Sequence, residues 1–430
     1  MTKENTITGK FNYAWIIIAL CFLMVFTCLG FVSSNRSLYL TSITNALNIK
    51  RSVFSISDSL RFISTAIINI FFGTLISKFG TKKLIGAGFI ALIASVLIQA
   101  YATNILAFYF AGILLGIGFS WTTTTMVGCV VNKWCKENRG TIMGAILASN
   151  GLGGALAAQI VTPIIKQKSN PFGYRQAYLL VASILLIVGI LIVIFFKENP
   201  PGEKNSNAIV HKKKGRGQTW VGITFKEAVK RPYFYISAVC IFCTGMVLQG
   251  ISGIAAAHLE DVGLDAGFIA TVLSIHSLAL AGFKFLTGFL YDKFGLRVTM
   301  TICDIAAVVV MLSLSVVSNS STGAILAVIY GVFSSLALPL ETIMLPIFAS
   351  DLFGEREFNK IMGIFVSINV AGYAVGIPIM NVIFDVMGTY IPALIGSAIL
   401  MTAVTVLFQF ALTSANKVKA EIVSIEEMKE

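Results

Sequence analysis

The chain has 430 residues, of which 56% are hydrophobic and 12% are charged, and its formal net charge is +12. Soluble globular domains carry about 25% charged residues, so this composition excludes a soluble enzyme or a soluble binding module. The basic residues lie between apolar segments rather than on one polar face, which argues against a nucleic-acid partner.

Apolar segments long enough for a helix that crosses a lipid bilayer recur along the whole chain. We number them spans 1 to 12. They are predicted at residues 12–40, 53–76, 83–103, 105–131, 140–165, 176–196, 233–258, 267–291, 298–318, 322–349, 359–385 and 389–413. We therefore predict an all-α membrane protein with an N-terminal six-helix bundle (1–197), a linker (198–231), a C-terminal six-helix bundle (232–415) and a tail (416–430).

The distribution of lysine and arginine predicts the orientation of these spans. With both termini on one side, that side carries 24 of these residues and the opposite side carries five. Positively charged loops stay in the cytoplasm, so we place both termini, the linker and the tail there. The expected location is the cell membrane, with the bacterial inner membrane as the expected compartment.

Cysteine usage and short motifs argue against catalysis. All seven cysteines lie in or beside apolar segments, and Cys240-x-x-Cys243 has no second pair and no adjacent histidine. The chain has no nucleotide-binding glycine loop and no nucleophile–base pattern. We predict no enzyme activity, no metal and no cofactor.

The two halves share a loop motif at a constant offset of 215 residues. After span 2 the sequence reads Gly73-x-x-x-Ser77-Lys78-x-Gly80-x-Lys82, and after span 8 it reads Gly288-x-x-x-Asp292-Lys293-x-Gly295-x-Arg297. Glycines allow two helices to approach closely, and the charged residues suit a cytoplasmic surface. We predict that Gly73, Gly80, Gly288, Asp292, Lys293, Gly295 and Arg297 form conformational loops in a duplicated six-helix unit.

Twelve spans in a six-plus-six duplication with this motif resemble the major facilitator superfamily over nearly the whole chain. The resemblance implies two bundles that rock around a central site and expose it alternately to the two sides of the membrane. The first copy of the motif has Ser77 in place of the family's acidic residue, whereas Asp292 keeps it in the second copy.

Ionisable residues within the spans are the first candidates for function. They are Arg36, Asp58, Arg61, His258, His276, Lys284, Asp304 and Glu341. A cation at membrane depth costs roughly 2.5–3.5 kcal/mol on insertion scales, so Lys284 in span 8 needs a partner or a function. It either meets an anionic solute or forms a structural ion pair with Asp304 or Glu341. Asp58 and Arg61 are three residues apart and are expected to form a local ion pair.

A cation in span 1 together with one in span 8 is similar to the monocarboxylate porters and the oxalate–formate antiporters. Arg36 and Lys284 occupy these positions, and the resemblance implies that they bind small carboxylates. Proton-coupled porters have an aspartate one turn before the cation of span 8, where this chain has Leu280. This favours anion exchange over proton symport.

Further residues are candidates for the same central site. Tyr39, Trp121, Asn369 and Tyr373 are predicted to contact the solute, although single aromatic side chains in apolar spans are often packing residues. Glu341, His276 and Asp304 are candidates for proton coupling or for a counter-ion. For His276, a hydrogen-bonded position in the helix core is the alternative.

The sequence therefore predicts a monomeric secondary transporter of mono- or dicarboxylates such as oxalate, formate, lactate or pyruvate. It would act within the lipid bilayer by anion exchange or by symport with protons. Two alternatives stay open: a transporter of an uncharged or drug-like solute with a structural Lys284, and a membrane sensor that transports nothing.

Overall fold

The computed structural model describes residues 13–135, 139–167, 172–198, 222–338, 340, 344–354 and 356–427, and these residues form helices and short connections without a strand. Spans 1 to 6 comprise Tyr13–Val25 and Ser37–Leu47 joined by the π-helical segment Phe26–Ser33 (span 1), Arg51–Phe79 (span 2), Thr81–Tyr101 (span 3), Ile105–Thr122 with Thr124–Trp134 (span 4), Arg139–Ile165 (span 5) and Gly173–Phe195 (span 6).

The second half repeats this arrangement after the short helix Phe225–Ala228. Spans 7 to 12 comprise Pro232–Asp261 (span 7), Ala266–Tyr291 (span 8), Lys293–Ser315 (span 9), Ser321–Ala337 with Met344–Phe353 (span 10), Phe358–Met387 (span 11) and Ile391–Glu427 (span 12). Within the described residues, eleven helical segments are long and apolar enough to cross a membrane, and Ser321–Ala337 is a shorter apolar helix. The predicted all-α fold of twelve spans is confirmed.

Two helices run well past their predicted ends. Span 1 continues to Leu47 and stops at Asn48, whose left-handed backbone (φ 52°) suits an asparagine at a helix end. Span 12 continues to Glu427 instead of ending at residue 413. Its extension contains no proline or glycine and is rich in alanine, lysine and glutamate, which are strong helix formers.

The repeated loop motif has the same backbone geometry in both halves. Gly80 has φ 80° and ψ 161°, and Gly295 has φ 77° and ψ 173°. This region of backbone space is open to glycine and strained for other residues, which explains why both copies of the motif have a glycine at this position. Gly73 and Gly288 lie one to two turns earlier in spans 2 and 8, and the side chain of Asp292 lies outside the described residues.

The basic side chains of the second loop are described. Arg297 donates from Nε to Oε1 of Gln409 at 2.5 Å, which ties the start of span 9 to span 12. The Lys293 ammonium lies 5.3 Å from the centroid of the Phe294 ring.

The two bundles touch at the ends of the spans that the charge distribution places outside. Arg51 of span 2 donates to both carboxylate oxygens of Asp261 in span 7, at 2.5 and 2.7 Å. Lys166, just after span 5, forms an ion pair of 2.5 Å with Glu260 of span 7. Ser52 donates from its backbone nitrogen to Asp385 of span 11 at 3.1 Å. We call these four ionised residues, Arg51, Lys166, Glu260 and Asp261, the outer gate.

Towards the cytoplasm the bundles separate. At the middle of the spans, a Cβ added at Gly151 of span 5 would lie 2.3 Å from the carbonyl oxygen of Ser277 in span 8. In the inner half, a Cβ added at Gly282, Gly288 or Gly363 would meet no atom of the described chain within 4 Å. Among the described residues, the hydrogen bonds and ion pairs between the bundles lie from the middle of the spans outwards. This is the arrangement expected of a state that is closed on the outer side and open on the cytoplasmic side.

Candidate functional site

A polar cavity of about 420 Å³, including its open mouth, lies between the two bundles in the outer half of the spans. Its walls come from spans 1 and 2 of the first bundle and from spans 7 and 11 of the second. Hydroxyl and amide side chains line it: Ser33, Ser34, Ser37, Ser55, Gln249 and Ser252. Three ionised residues, Arg36, Asp58 and Arg61, complete this lining, and we call them the charged cluster.

A single carboxylate forms ion pairs with both guanidinium groups of the charged cluster. Asp58 Oδ1 lies 2.6 Å from Arg36 Nε and 3.3 Å from Arg61 Nε. Asp58 and Arg61 occupy one face of span 2 because they are three residues apart, whereas Arg36 reaches them from span 1. All three side chains are nearly buried, so the cluster holds one uncompensated positive charge beside the cavity.

The Arg61 guanidinium also packs against a ring. Its Cζ lies 4.1 Å from the centroid of Phe62, and its Nη1 donates to Ser33 Oγ at 3.4 Å. The planar, weakly hydrated guanidinium suits such stacking and still has N–H donors for a planar carboxylate.

Arg36 reaches the cavity because span 1 is interrupted just before it. The π-helical segment ends at Ser33, and the next helix begins at Ser37. Asn35 fixes the intervening turn by donating to the Gly154 carbonyl of span 5 at 2.9 Å. Spans 1 and 5 approach closely here, since a Cβ at Gly30 would lie 2.6 Å from Gly153 Cα.

Lys284, the predicted cation of span 8, does not line this cavity. Its side chain is half-buried and has no hydrogen bond or ion pair with any described residue. Asp304 is not its counter-ion among the described side chains, and Glu341 lies outside the described residues. Lys284 therefore remains a candidate on the second bundle, two turns closer to the cytoplasm than Ser277, where spans 5 and 8 touch.

Asp304 occupies a different environment in span 9. Its side chain is fully buried, and neither carboxylate oxygen has a hydrogen-bond partner among the described residues. A carboxyl group buried without a hydrogen bond is energetically costly, and Asp304 stays a candidate for proton coupling.

The other predicted contact residues lie around the cavity rather than in it. Tyr39 is buried and stacks on Tyr178 with ring centroids 4.3 Å apart. Asn369 donates to the Ile241 carbonyl at 3.3 Å, and Tyr373 packs with its ring centroid 5.3 Å from that of Phe62.

Trp121 lies in span 4, where its indole nitrogen is buried and has no hydrogen-bond partner among the described residues. It does not line the cavity either. Solute contact by Trp121, Tyr39, Asn369 and Tyr373 stays a prediction.

His276 is placed inside the C-terminal bundle. Its Nδ1 lies 2.7 Å from Ser334 Oγ and 3.0 Å from Ser335 Oγ, and its ring is parallel to that of Tyr330. This hydrogen-bonded position is the alternative that the sequence left open for His276. The residue lines a second, mostly apolar cavity of about 300 Å³, which shares Ser252 with the first.

Sequence reasoning missed the polar wall of the central cavity. Asp58 and Arg61 were interpreted as a local pair alone, and Gln249 and Ser252 of span 7 were not singled out. A signal for part of this wall is present in the run Ser33-Ser34-Asn35-Arg36-Ser37, where five polar residues interrupt an apolar span.

Comparisons with known proteins agree with this architecture. The family described as Major Facilitator Superfamily matches residues 15–253 and 237–427. The sialic acid transporter NanX of Escherichia coli (strain K12) is 22% identical over 354 residues, which cover 81% of this chain and 80% of that protein. The multidrug resistance protein MdtG of Salmonella schwarzengrund (strain CVM19633) is 24% identical over 386 residues, 86% of each chain.

A crystal structure of the nucleoside transporter NupG has the same fold. It superposes with a TM-score of 0.74, covering 93% of this chain and 99% of that chain at 13% sequence identity. At this identity the likeness concerns the fold alone.

Proposed function

We propose, from the premise that this chain belongs to the Major Facilitator Superfamily, that it carries small organic anions across the membrane by alternating access. It is a multi-pass transporter of the plasma membrane, with the two-bundle fold of that superfamily. The proposed solutes are mono- or dicarboxylates, as in the monocarboxylate porters and oxalate–formate antiporters that its span 1 and span 8 cations resemble.

The excess positive charge of the charged cluster carries this proposal. Two guanidinium groups share the single carboxylate of Asp58 in a cavity between the bundles. An uncompensated buried charge is costly, whereas a carboxylate from the solute would neutralise it and accept charge-assisted hydrogen bonds. A neutral solute would leave this charge unpaired.

Lys284 is proposed to contribute from the opposite bundle. It lies in span 8, two turns closer to the cytoplasm than Ser277, and its ammonium has no partner in the described chain. An anion held between Lys284 and the charged cluster would contact both bundles, so its binding free energy can change the relative stability of the two conformations. Alternating access requires this differential binding and no covalent step.

Anion exchange is the proposed mode of coupling. Leu280 stands where the resemblance to proton-coupled porters implies an acid, and the buried Asp304 does not line the central cavity. In exchange, the return of the empty transporter is slow because the cluster keeps an unpaired charge without an anion.

The names of the similar proteins mention sialic acid, drug resistance and nucleosides, so they do not indicate which class of solute this chain transports. The test is therefore a transport assay. Purified protein is reconstituted into liposomes loaded with one carboxylate, and uptake of labelled carboxylates is measured with and without an imposed pH gradient.

We expect uptake that depends on internal carboxylate and not on the gradient. Uptake that requires the gradient would replace exchange by proton symport. Uptake of uncharged or drug-like solutes with no carboxylate transport, by protein of normal folding, would refute the proposed function. A sensor that does not transport would show no exchange of any solute.

A further inference from the structure

Span 7 presents two unpartnered polar side chains to the central cavity. Gln249 and Ser252 are half-buried, are three residues apart on one face of the helix, and have no hydrogen-bond partner in the described chain. Ser37 of span 1 lines the same cavity, is buried and is likewise without a partner there.

The other serines of the cavity are already hydrogen-bonded. Ser34 Oγ lies 2.9 Å from Asn150 Oδ1, and Ser55 donates to the Ser52 carbonyl at 2.8 Å. Ser33 accepts from Arg61. The available hydrogen-bonding groups are therefore concentrated at Ser37, Gln249 and Ser252.

Buried polar side chains in proteins are nearly always hydrogen-bonded, and groups left open towards a cavity are free to bind a solute or water. An amide and two hydroxyls offer both donors and acceptors, which is the pattern that suits the hydroxyl groups of a solute.

We infer that the solute is a polyhydroxylated carboxylic acid, with its carboxylate at the charged cluster and its hydroxyls on Ser37, Gln249 and Ser252. This inference rests on the proposed function and narrows its substrate class. An acid without hydroxyls leaves the three polar groups unpaired, and a polyol without a carboxylate leaves the positive charge of Arg36, Asp58 and Arg61 uncompensated.

A matched set of probes tests this specificity. Galactarate and adipate share a six-carbon chain with two carboxylates and differ in their hydroxyls, whereas galactitol keeps the hydroxyls and lacks the carboxylates. Uptake of each labelled probe is measured in proteoliposomes loaded with the same unlabelled probe. We expect galactarate to have a kcat/KM at least about tenfold above that of adipate, since a site with polar groups discriminates against a solute that leaves them unpaired.

Variants of the polar wall connect this preference to the named residues. Gln249→Met and Ser252→Ala should each lower kcat/KM for galactarate by about 3- to 10-fold, the loss of one hydrogen bond, and leave that for adipate unchanged. Ser252→Thr keeps the hydroxyl and should retain most of the galactarate activity. Ser183→Ala is the matched control, because Ser183 is exposed on span 6 and bonds only within its own helix.

The outcomes separate this inference from the proposed function. Equal transport of adipate and galactarate, or variants that affect the two acids alike, would overturn the inference and leave anion transport standing. Transport of galactitol with neither acid would overturn both.

Discussion

Asp58 is shared by two arginines, so the charge of the central cavity depends on single residues. Removing Arg61 leaves a neutral pair of Arg36 and Asp58, whereas removing Asp58 leaves two unpaired cations. A substitution in this cluster therefore changes the net charge of the cavity. A test must separate the effect of that charge from the effect of lost side-chain packing.

Arg61→Gln should raise KM for the transported anion by at least about tenfold, because a hydrogen bond to a charged group contributes about 1.5–3 kcal/mol. Arg61→Lys keeps the charge and should lose less, mainly the stacking on Phe62. Initial uptake rates at several concentrations measure KM. Lys230→Gln, at an exposed basic residue, is the charge-matched control, and an unchanged KM in Arg61→Gln would remove the cluster from the site.

Asp304→Asn should leave folding and exchange unchanged. The carboxyl is fully buried and has no partner in the described chain, so an uncharged amide of nearly the same shape fits the site and breaks no contact. Thermal unfolding in detergent and counterflow in liposomes are the two measurements. Loss of gradient-driven uptake with intact counterflow would instead assign Asp304 to proton coupling.

Ionised residues of the site were the easiest to predict from sequence. Arg36 is conspicuous in span 1 because any charge within an apolar segment is costly. Gln249 and Ser252 are not conspicuous, since neutral polar residues are common at contacts between helices. Their role depends on which face of span 7 meets the cavity.

Helix contacts on the outer side hold the observed conformation. Arg51 bonds both oxygens of Asp261, lies 4.0 Å from the centroid of the Phe384 ring and donates to Tyr390. The ion pairs of the outer gate thus join spans 2 and 5 to span 7, and Arg51 also contacts span 11 through Phe384. No comparable ion pair joins the cytoplasmic halves within the described residues.

Asp261→Asn should shift the protein towards an outward-open state. The substitution weakens a charged, doubly hydrogen-bonded contact by about 1.5–3 kcal/mol, enough to change the ratio of two states at least about tenfold. Spin labels at Thr103→Cys and Asn319→Cys, on exposed outer loops of the two bundles, report the distance in a background without native cysteines. Asp265→Asn, at an exposed helix start outside the gate, is the control, and an unchanged distance in Asp261→Asn would contradict the role of this pair.

Close packing of spans 1 and 5 should make Gly153 intolerant of a side chain. A Cβ there would lie 2.2 Å from the Phe26 carbonyl oxygen, so Gly153→Ala should destabilise the N-terminal bundle by about 1–3 kcal/mol. Gly282→Ala is the matched control, because a Cβ at Gly282 meets no described atom within 4 Å. Thermal unfolding in detergent should separate the two variants, and equal midpoints would argue against this contact.

The molecule as a whole is open towards the cytoplasm, with the charged cluster on one bundle and Lys284 on the other. A solute anion that contacts both bundles should stabilise a state in which their inner halves are closer. Closure of the inner halves then depends on the charged cluster and on Lys284, the same groups that are proposed to bind the anion.

Addition of a transported anion should shorten the distance between labels at Ser77→Cys and Lys293→Cys, two exposed positions at the inner ends of spans 2 and 9. Lys284→Gln should reduce this shift and raise the concentration that produces it at least about tenfold, through loss of a charged contact. Spin-label distance distributions measure both effects. A full shift at the original concentration in Lys284→Gln would show that Lys284 does not bind the solute.

By itself the sequence determined the number of spans, their orientation and the duplication of the six-helix unit. Each of these features follows from a short stretch of sequence: the length of an apolar segment, the lysines and arginines of a loop, or a glycine motif. Membrane insertion depends directly on segment length and on loop charge. Gly80 and Gly295, predicted from their spacing of 215 residues, accordingly have nearly the same backbone angles.

Only the tertiary structure decided which polar residues share a cavity. Arg36 meets Asp58 because span 1 is interrupted by a π-helical segment, and Gln249 faces them because of the rotation of span 7. The residues of this cavity are distant in the sequence, about two hundred positions for Gln249 and the charged cluster, and their meeting depends on how helices pack across the bundle interface. Helix rotation and packing arise from many small side-chain contacts, and these cannot be predicted from the local pattern of hydrophobicity or charge.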